Sequence, residues 1–145
     1  MSRPCVALIA DPTSPEGCRE YLARAVELLT GAPPRRLDSR CFAAGGAGRA
    51  ALEGGRLRLR VPDEDVDVVP DVVVLYEIPP ERRGELAGFQ RLLARSGVAP
   101  FAGSPQAWRS ATEKDRTLAC FARDGVAHME TVVLSGPARQ EAVAA

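Results

Sequence analysis

Two short, mostly apolar runs stand out along the chain. One spans Cys5 to Ala10 and is ended by Asp11-Pro12; the other, VVVLYEI, spans Val72 to Ile78. Both are short and rich in branched residues, the pattern of strands buried on both faces at the centre of a parallel sheet. After the first run, DPTSPEG is turn chemistry, and Ser14 as cap with Pro15 or Glu16 behind it predicts a helix start. Cys18, Tyr21, Leu22, Ala25, Leu28 and Leu29 then recur at helical spacing, and Gly31 closes the segment. Together these make a β-loop-α unit.

After the second run, Pro79-Pro80 opens a helix that reaches about Ser96, with Leu86, Phe89, Leu92 and Leu93 inward and Gly97 as its stop. Val98 to Ala102 reads as a short strand. Ser104-Pro105 starts a short helix, and a further one covers about Lys114 to Arg123, with Leu118, Phe121 and Ala122 inward. ETVVLS, from Glu130, is a last strand.

Residues 32–70 are less regular. Leu37 to Ala43 reads as a strand. CFAAGGAGRAALEGG is rich in glycine but lacks the G-x-G-x-x-G spacing of a phosphate loop, so it reads as a loop, or as a hairpin around Glu53-Gly54-Gly55. RLRLRV alternates arginine with apolar residues, a half-exposed strand of period two. Beside the acidic Asp63, Glu64, Asp65 and Asp67, its arginines suit a solvated hairpin edge rather than a phosphate ribbon. The whole order implies an α/β fold: a parallel-rich sheet flanked by helices in a single domain, as 145 residues suggest.

Composition narrows the function. Nineteen acidic and nineteen basic residues balance, which argues against a nucleic-acid partner. No apolar run reaches the roughly 18 residues that span a membrane. Asp11 follows the first run at once, without a cleavage pattern, so a cytoplasmic protein with no membrane partner is expected. Four cysteines without a C-x-x-C pair, and one histidine, do not suggest zinc; they read as reduced thiols. Eighteen of the nineteen basic residues are arginine, and the exception, Lys114, stands in GSPQAWRSATEKDRTLACFARDG.

That segment carries a resemblance together with ALIADP, PDVVVLYEIPP and ETVVLS. In order and spacing they resemble the N-terminal, pre-ATP-grasp half of ATP-grasp carboxylate–amine ligases, of the glutathione synthetase and ribosomal-protein glutamate ligase type. The resemblance covers roughly residues 4 to 136. It implies a Rossmann-like pre-ATP-grasp domain over residues 1–135, with the start of the ATP-grasp region from about 104 and a tail over 136–145. Lys114 matches the family lysine that reaches the ATP phosphates, a compact cation where a broad guanidinium often cannot be fitted. Asp11, Tyr76, Glu77 and Ser104 fall on the substrate side, toward a small amino-acid or peptide substrate. No residue is matched to a catalytic or metal-binding role.

The departures are specific. The family's substrate arginine falls on Tyr76, its turn asparagine on Gly103, and its prolines before the last strand on His128, Met129 and Glu130. The family's second nucleotide lysine, adenine clamp and magnesium ligands lie after the strand matched by ETVVLS and have no counterpart here. The resemblance therefore implies a ligase domain or subunit that is incomplete alone and that meets ATP and Mg²⁺ only with a complementing ATP-grasp chain, or else pairs as a homodimer. Two other readings stay open: a non-catalytic descendant that binds a small molecule or a protein, and a flavodoxin- or receiver-like domain. The second run ends in Tyr76-Glu77-Ile78, without the phosphoacceptor aspartate of a receiver.

Overall fold

The computed structural model describes residues 3–13, 17–100 and 105–130. The backbone divides into two compact units, Met1–Pro105 and Gln106–Ala145.

The first unit is α/β. Its main sheet has four parallel strands, β1 (Val6–Ala10), β2 (Arg35–Asp38), β6 (Val72–Tyr76) and β7 (Ala99–Pro100), in the order β2-β1-β6-β7. The two mostly apolar runs are the central pair, in register from Val6 opposite Val72 to Ala10 opposite Tyr76. All five β1 residues are buried, as a strand covered on both faces requires. Asp71 pins the start of the pair: it accepts from the Cys5 amide at 2.8 Å and donates its own amide to the Cys5 carbonyl at 2.8 Å.

Helix α1 (Arg19–Thr30) lies between β1 and β2. It begins at Arg19, after Cys18, whose side chain does not cap the helix; the expected start at Ser14 to Glu16 lies outside the described residues. Its sheet-facing stripe is Leu22, Ala23 and Val26, packed on Val6, Leu8 and Val74. This corrects the face read from spacing: Tyr21, Leu28 and Leu29 are 80%, 69% and 86% exposed. The helix carries more apolar residues than one face can bury, and the small Ala23 lets it seat closely. Gly31 closes it in the left-handed region, φ 72°, where its amide reaches the Glu27 carbonyl.

A smaller antiparallel sheet, β3 (Arg49–Glu53), β4 (Arg56–Val61) and β5 (Val66–Val68), interrupts the parallel one in sequence. Gly54 and Gly55, φ 57° and 79°, form the two-residue turn that positive φ at both positions allows. β4 buries Leu57, Leu59 and Val61 and turns its arginines outward, as its alternation predicts. It is the middle strand, however, and not an edge. β5 is made from the acidic stretch, and Asp67 takes Arg58 in two 2.6 Å hydrogen bonds. The strand expected over Leu37 to Ala43 is only the end of β2, followed by a 3-10 turn at Ser39–Phe42. There Asp38 caps the turn through the Arg40 amide.

The helix expected after Pro79-Pro80 starts as a 3-10 turn, Pro80–Leu86, and continues as α2 (Ala87–Arg95). Leu86, Phe89 and Leu93 are buried, and Phe89 stacks on Phe42 at 5.0 Å.

The second unit contains α3 (Pro105–Thr112), whose first residue closes the first unit, and α4 (Lys114–Arg123). Glu113 separates the two with extended backbone. Leu118 is half-buried, but Phe121 and Ala122 are exposed, against the inward reading; α4 has no buried residue. The strand expected at ETVVLS and the cap at Ser104 lie outside the described residues. No helix among the described residues is long and apolar enough to cross a membrane.

Candidate functional site

In an open parallel sheet, ligands bind beyond the carboxyl ends of the strands, where the strand order reverses. Here β1 leads to β2 on one side and β6 to β7 on the other, so the reversal falls between β1 and β6. The residues that leave those strands are Asp11 and Glu77, with Tyr76 half-buried as the last residue of β6.

Three of the five residues singled out from the sequence, Asp11, Tyr76 and Glu77, therefore meet at one edge. Ser104 is outside the described residues, and Lys114 belongs to the second unit.

Neither carboxylate faces solvent. Asp11 Oδ1 accepts from the Thr13 amide at 2.8 Å and the Thr13 hydroxyl at 2.6 Å, and Oδ2 lies 3.3 Å from Arg82 Nη1. Burial works to raise the Asp11 pKa, but the Thr13 hydroxyl and amide, then Arg82 and Arg40, outweigh it and hold the carboxyl below its ordinary range. Glu77 Oε1 accepts from the Cys18 amide at 2.7 Å, a cap for α1 supplied from the end of β6. Its Oε2 lies 3.6 Å from Arg19 Nε. Both Asp11 Oδ2 and Glu77 Oε2 are buried without a hydrogen bond, so each guanidinium approaches its carboxylate without closing on it. Glu77 holds a left-handed backbone, φ 52°, uncommon for a residue other than glycine.

The carboxylates thus act as supports, and two arginines stand over them. Arg19 donates from Nη1 to the Asp11 carbonyl at 2.6 Å and keeps 23% of its side chain exposed; Arg82 keeps 29%. The sequence reading missed both. A signal existed: an Asp and a Glu at the ends of buried strands need cations, and Arg19 and Arg82 are arginines in the connections that follow.

A cleft of about 450 Å³ opens beside this edge, over the ends of β1 and β2. Leu8, Ala10, Pro12 and Leu37 give it apolar walls, while Arg19, Glu20, Arg36, Asp38, Arg40 and Glu64 supply equal numbers of each charge. Arg36 is paired with Glu20, and Arg40 with Asp38 at 2.6 Å. Nearby Cys41 is no ready nucleophile: burial, then Asp38 and Glu64, push its thiol up. None of the four cysteines is in a disulfide.

In the second unit, Lys114 is the first residue of α4 and is exposed. Glu113 beside it is engaged by Arg109 at 3.0 Å and by Arg116, which hold its carboxyl below the usual range. Lys114 can offer a single point contact to a phosphate. No group of His, Cys, Asp or Glu suited to holding a metal ion occurs among the described residues.

Comparison with protein-family models, curated proteins and solved structures found no match to this chain.

Proposed function

We propose that the chain is the substrate-side, pre-ATP-grasp-type domain of a cytoplasmic ligase that joins a carboxylate to an amine, and that it binds a small amino-acid or peptide substrate at the β1–β6 edge. One observation carries this reading: the two central strands end together at the reversal of a parallel sheet, where Asp11 and Glu77 hold Arg19 and Arg82 in place. The parallel four-stranded sheet of the first unit and the ordered sequence resemblance support it.

In such a ligase, ATP and Mg²⁺ supply the phosphoryl transfer that activates the carboxylate. This chain's residues bind and orient the substrate, and Lys114 contributes a phosphate contact to a nucleotide half supplied by a complementing ATP-grasp chain. A homodimer is the competing assembly. Equal charge across the cleft suits a zwitterion better than a polyanion.

The test is thermal unfolding of the chain against a panel of amino acids and short acidic peptides. A ligand at a hundred times its Kd stabilises by about 2.7 kcal/mol, a rise of roughly 5–10 °C for a chain of this size. A panel that leaves the transition unmoved at millimolar concentrations contradicts the proposal.

A further inference from the structure

We infer that Arg19 and Arg82 form a receptor for one anionic group, a carboxylate or a phosphate, on the ligand of the β1–β6 edge. The inference rests on the reading that a ligand binds there, and it names the chemistry that holds it.

Two arginines from different connections converge on a single residue. Arg19 leads α1 and reaches the Asp11 carbonyl at 2.6 Å; Arg82 lies in the turn after β6 and reaches Asp11 Oδ2 at 3.3 Å. Behind each stands a carboxylate whose side chain is fully buried, Glu77 for Arg19 and Asp11 for Arg82. The carboxylates cannot meet a ligand, but the arginines are 23% and 29% exposed and can. A guanidinium carries five N–H donors in a rigid fork. Arg19 commits one in a short hydrogen bond, to Asp11, and Arg82 makes only long contacts, to Asp11 at 3.3 Å and Glu85 at 3.4 Å. Donors remain on both, already oriented, and a preorganised group loses less on binding.

The surroundings favour an anion as well. Arg19 begins a twelve-residue helix whose N-terminal end is electropositive. Glu77 already takes the capping amide of Cys18, so the guanidiniums, rather than the helix backbone, are the donors on offer. Arg19 also lines the 450 Å³ cleft, which gives the rest of the ligand room. The uncharged Tyr76 ends β6, and the positive charge at this edge comes from the flanking connections instead.

The experiment is calorimetric titration of the full chain at low salt with inorganic phosphate and, separately, with succinate. Saturable binding of either is expected, weakening as salt is raised. Arg19→Gln and Arg82→Gln should each weaken it about tenfold or more. Phosphate alone binding assigns a phosphate group, and succinate alone a carboxylate. Arg19→Gln leaves Glu77 without its cation, so the double variant Arg19→Gln/Glu77→Gln removes both charges together. It should lose the anion while its circular dichroism stays native. Binding of neither probe, or binding that the arginine variants leave unchanged, overturns the inference. The amino-acid and peptide panel keeps the two ideas separate. Panel binding that survives in the arginine variants sinks the anion receptor and leaves the proposed function standing. Arginine-dependent phosphate binding without any panel binding does the reverse.

Discussion

Replacing Glu77 by glycine is expected to harm the fold less than replacing it by alanine, the reverse of the usual order. Glu77 caps α1 through the Cys18 amide at 2.7 Å, and losing such a cap costs about 1 kcal/mol. It also backs Arg19. Breaking a fully buried ion pair costs about 3–5 kcal/mol, but Arg19 is 23% exposed and can turn to water, so roughly 1–2 kcal/mol of that applies. Glu77→Ala should therefore destabilise by about 2–3 kcal/mol. Alanine keeps the left-handed φ of 52°, which costs a residue with a Cβ about 1–2 kcal/mol. Glycine removes that strain and gives back about 0.5–1 kcal/mol through its looser unfolded chain. The glycine variant should come out ahead by roughly 0.5–1 kcal/mol. The lone tryptophan, Trp108, reports on the second unit, so urea unfolding is best followed by hydrogen exchange of the β1 and β6 amides. An alanine variant as stable as the wild type, or more stable than the glycine variant, would refute the reasoning.

Three further outcomes are expected. The depressed Asp11 pKa means that its ionised form adds stability at neutral pH, lost as pH falls below the ordinary carboxylate value of about 3.8. The urea midpoint of Asp11→Asn should thus lie below that of the wild type at pH 7, with the gap narrowing as pH falls below about 3.8; a constant gap contradicts this. A Cβ at Gly46 would come within 2.3 Å of the Arg40 carbonyl and 2.4 Å of the Cys41 carbonyl, both backbone, so Gly46→Ala should cost about 2 kcal/mol or more in urea unfolding. Leu29→Gln, on the exposed side of α1, should stay within about 0.5 kcal/mol of wild type by the same assay; a larger loss would show that this face is covered.

The parallel sheet could be read from the sequence because its two central strands are apolar on both faces, a pattern that no half-exposed element imitates. The same holds for β4, whose alternating RLRLRV leaves one solution for which side is buried. Helix α1 was harder. Tyr21, Leu28 and Leu29 fit helical spacing as well as Leu22, Ala23 and Val26 do, and only contact with the sheet decides between them. At the candidate site, the resemblance singles out Asp11, Tyr76 and Glu77, and their places at strand ends bring them to one edge. Arg19 and Arg82 are harder to see, because the carboxylates they approach, Glu77 and Asp11, lie 58 and 71 residues away in the sequence.

The central claim is that a small ligand binds at the carboxyl ends of β1 and β6. Backbone amide NMR during titration with glutamate and short glutamyl peptides tests it most directly. The amides of Asp11, Thr13, Cys18, Arg19, Tyr76, Glu77 and Arg82 are expected to move together along one saturation curve. Shifts confined instead to the opposite end of the sheet, around Arg3 to Val6 and Ala32 to Arg35, or no shifts at all, would contradict it.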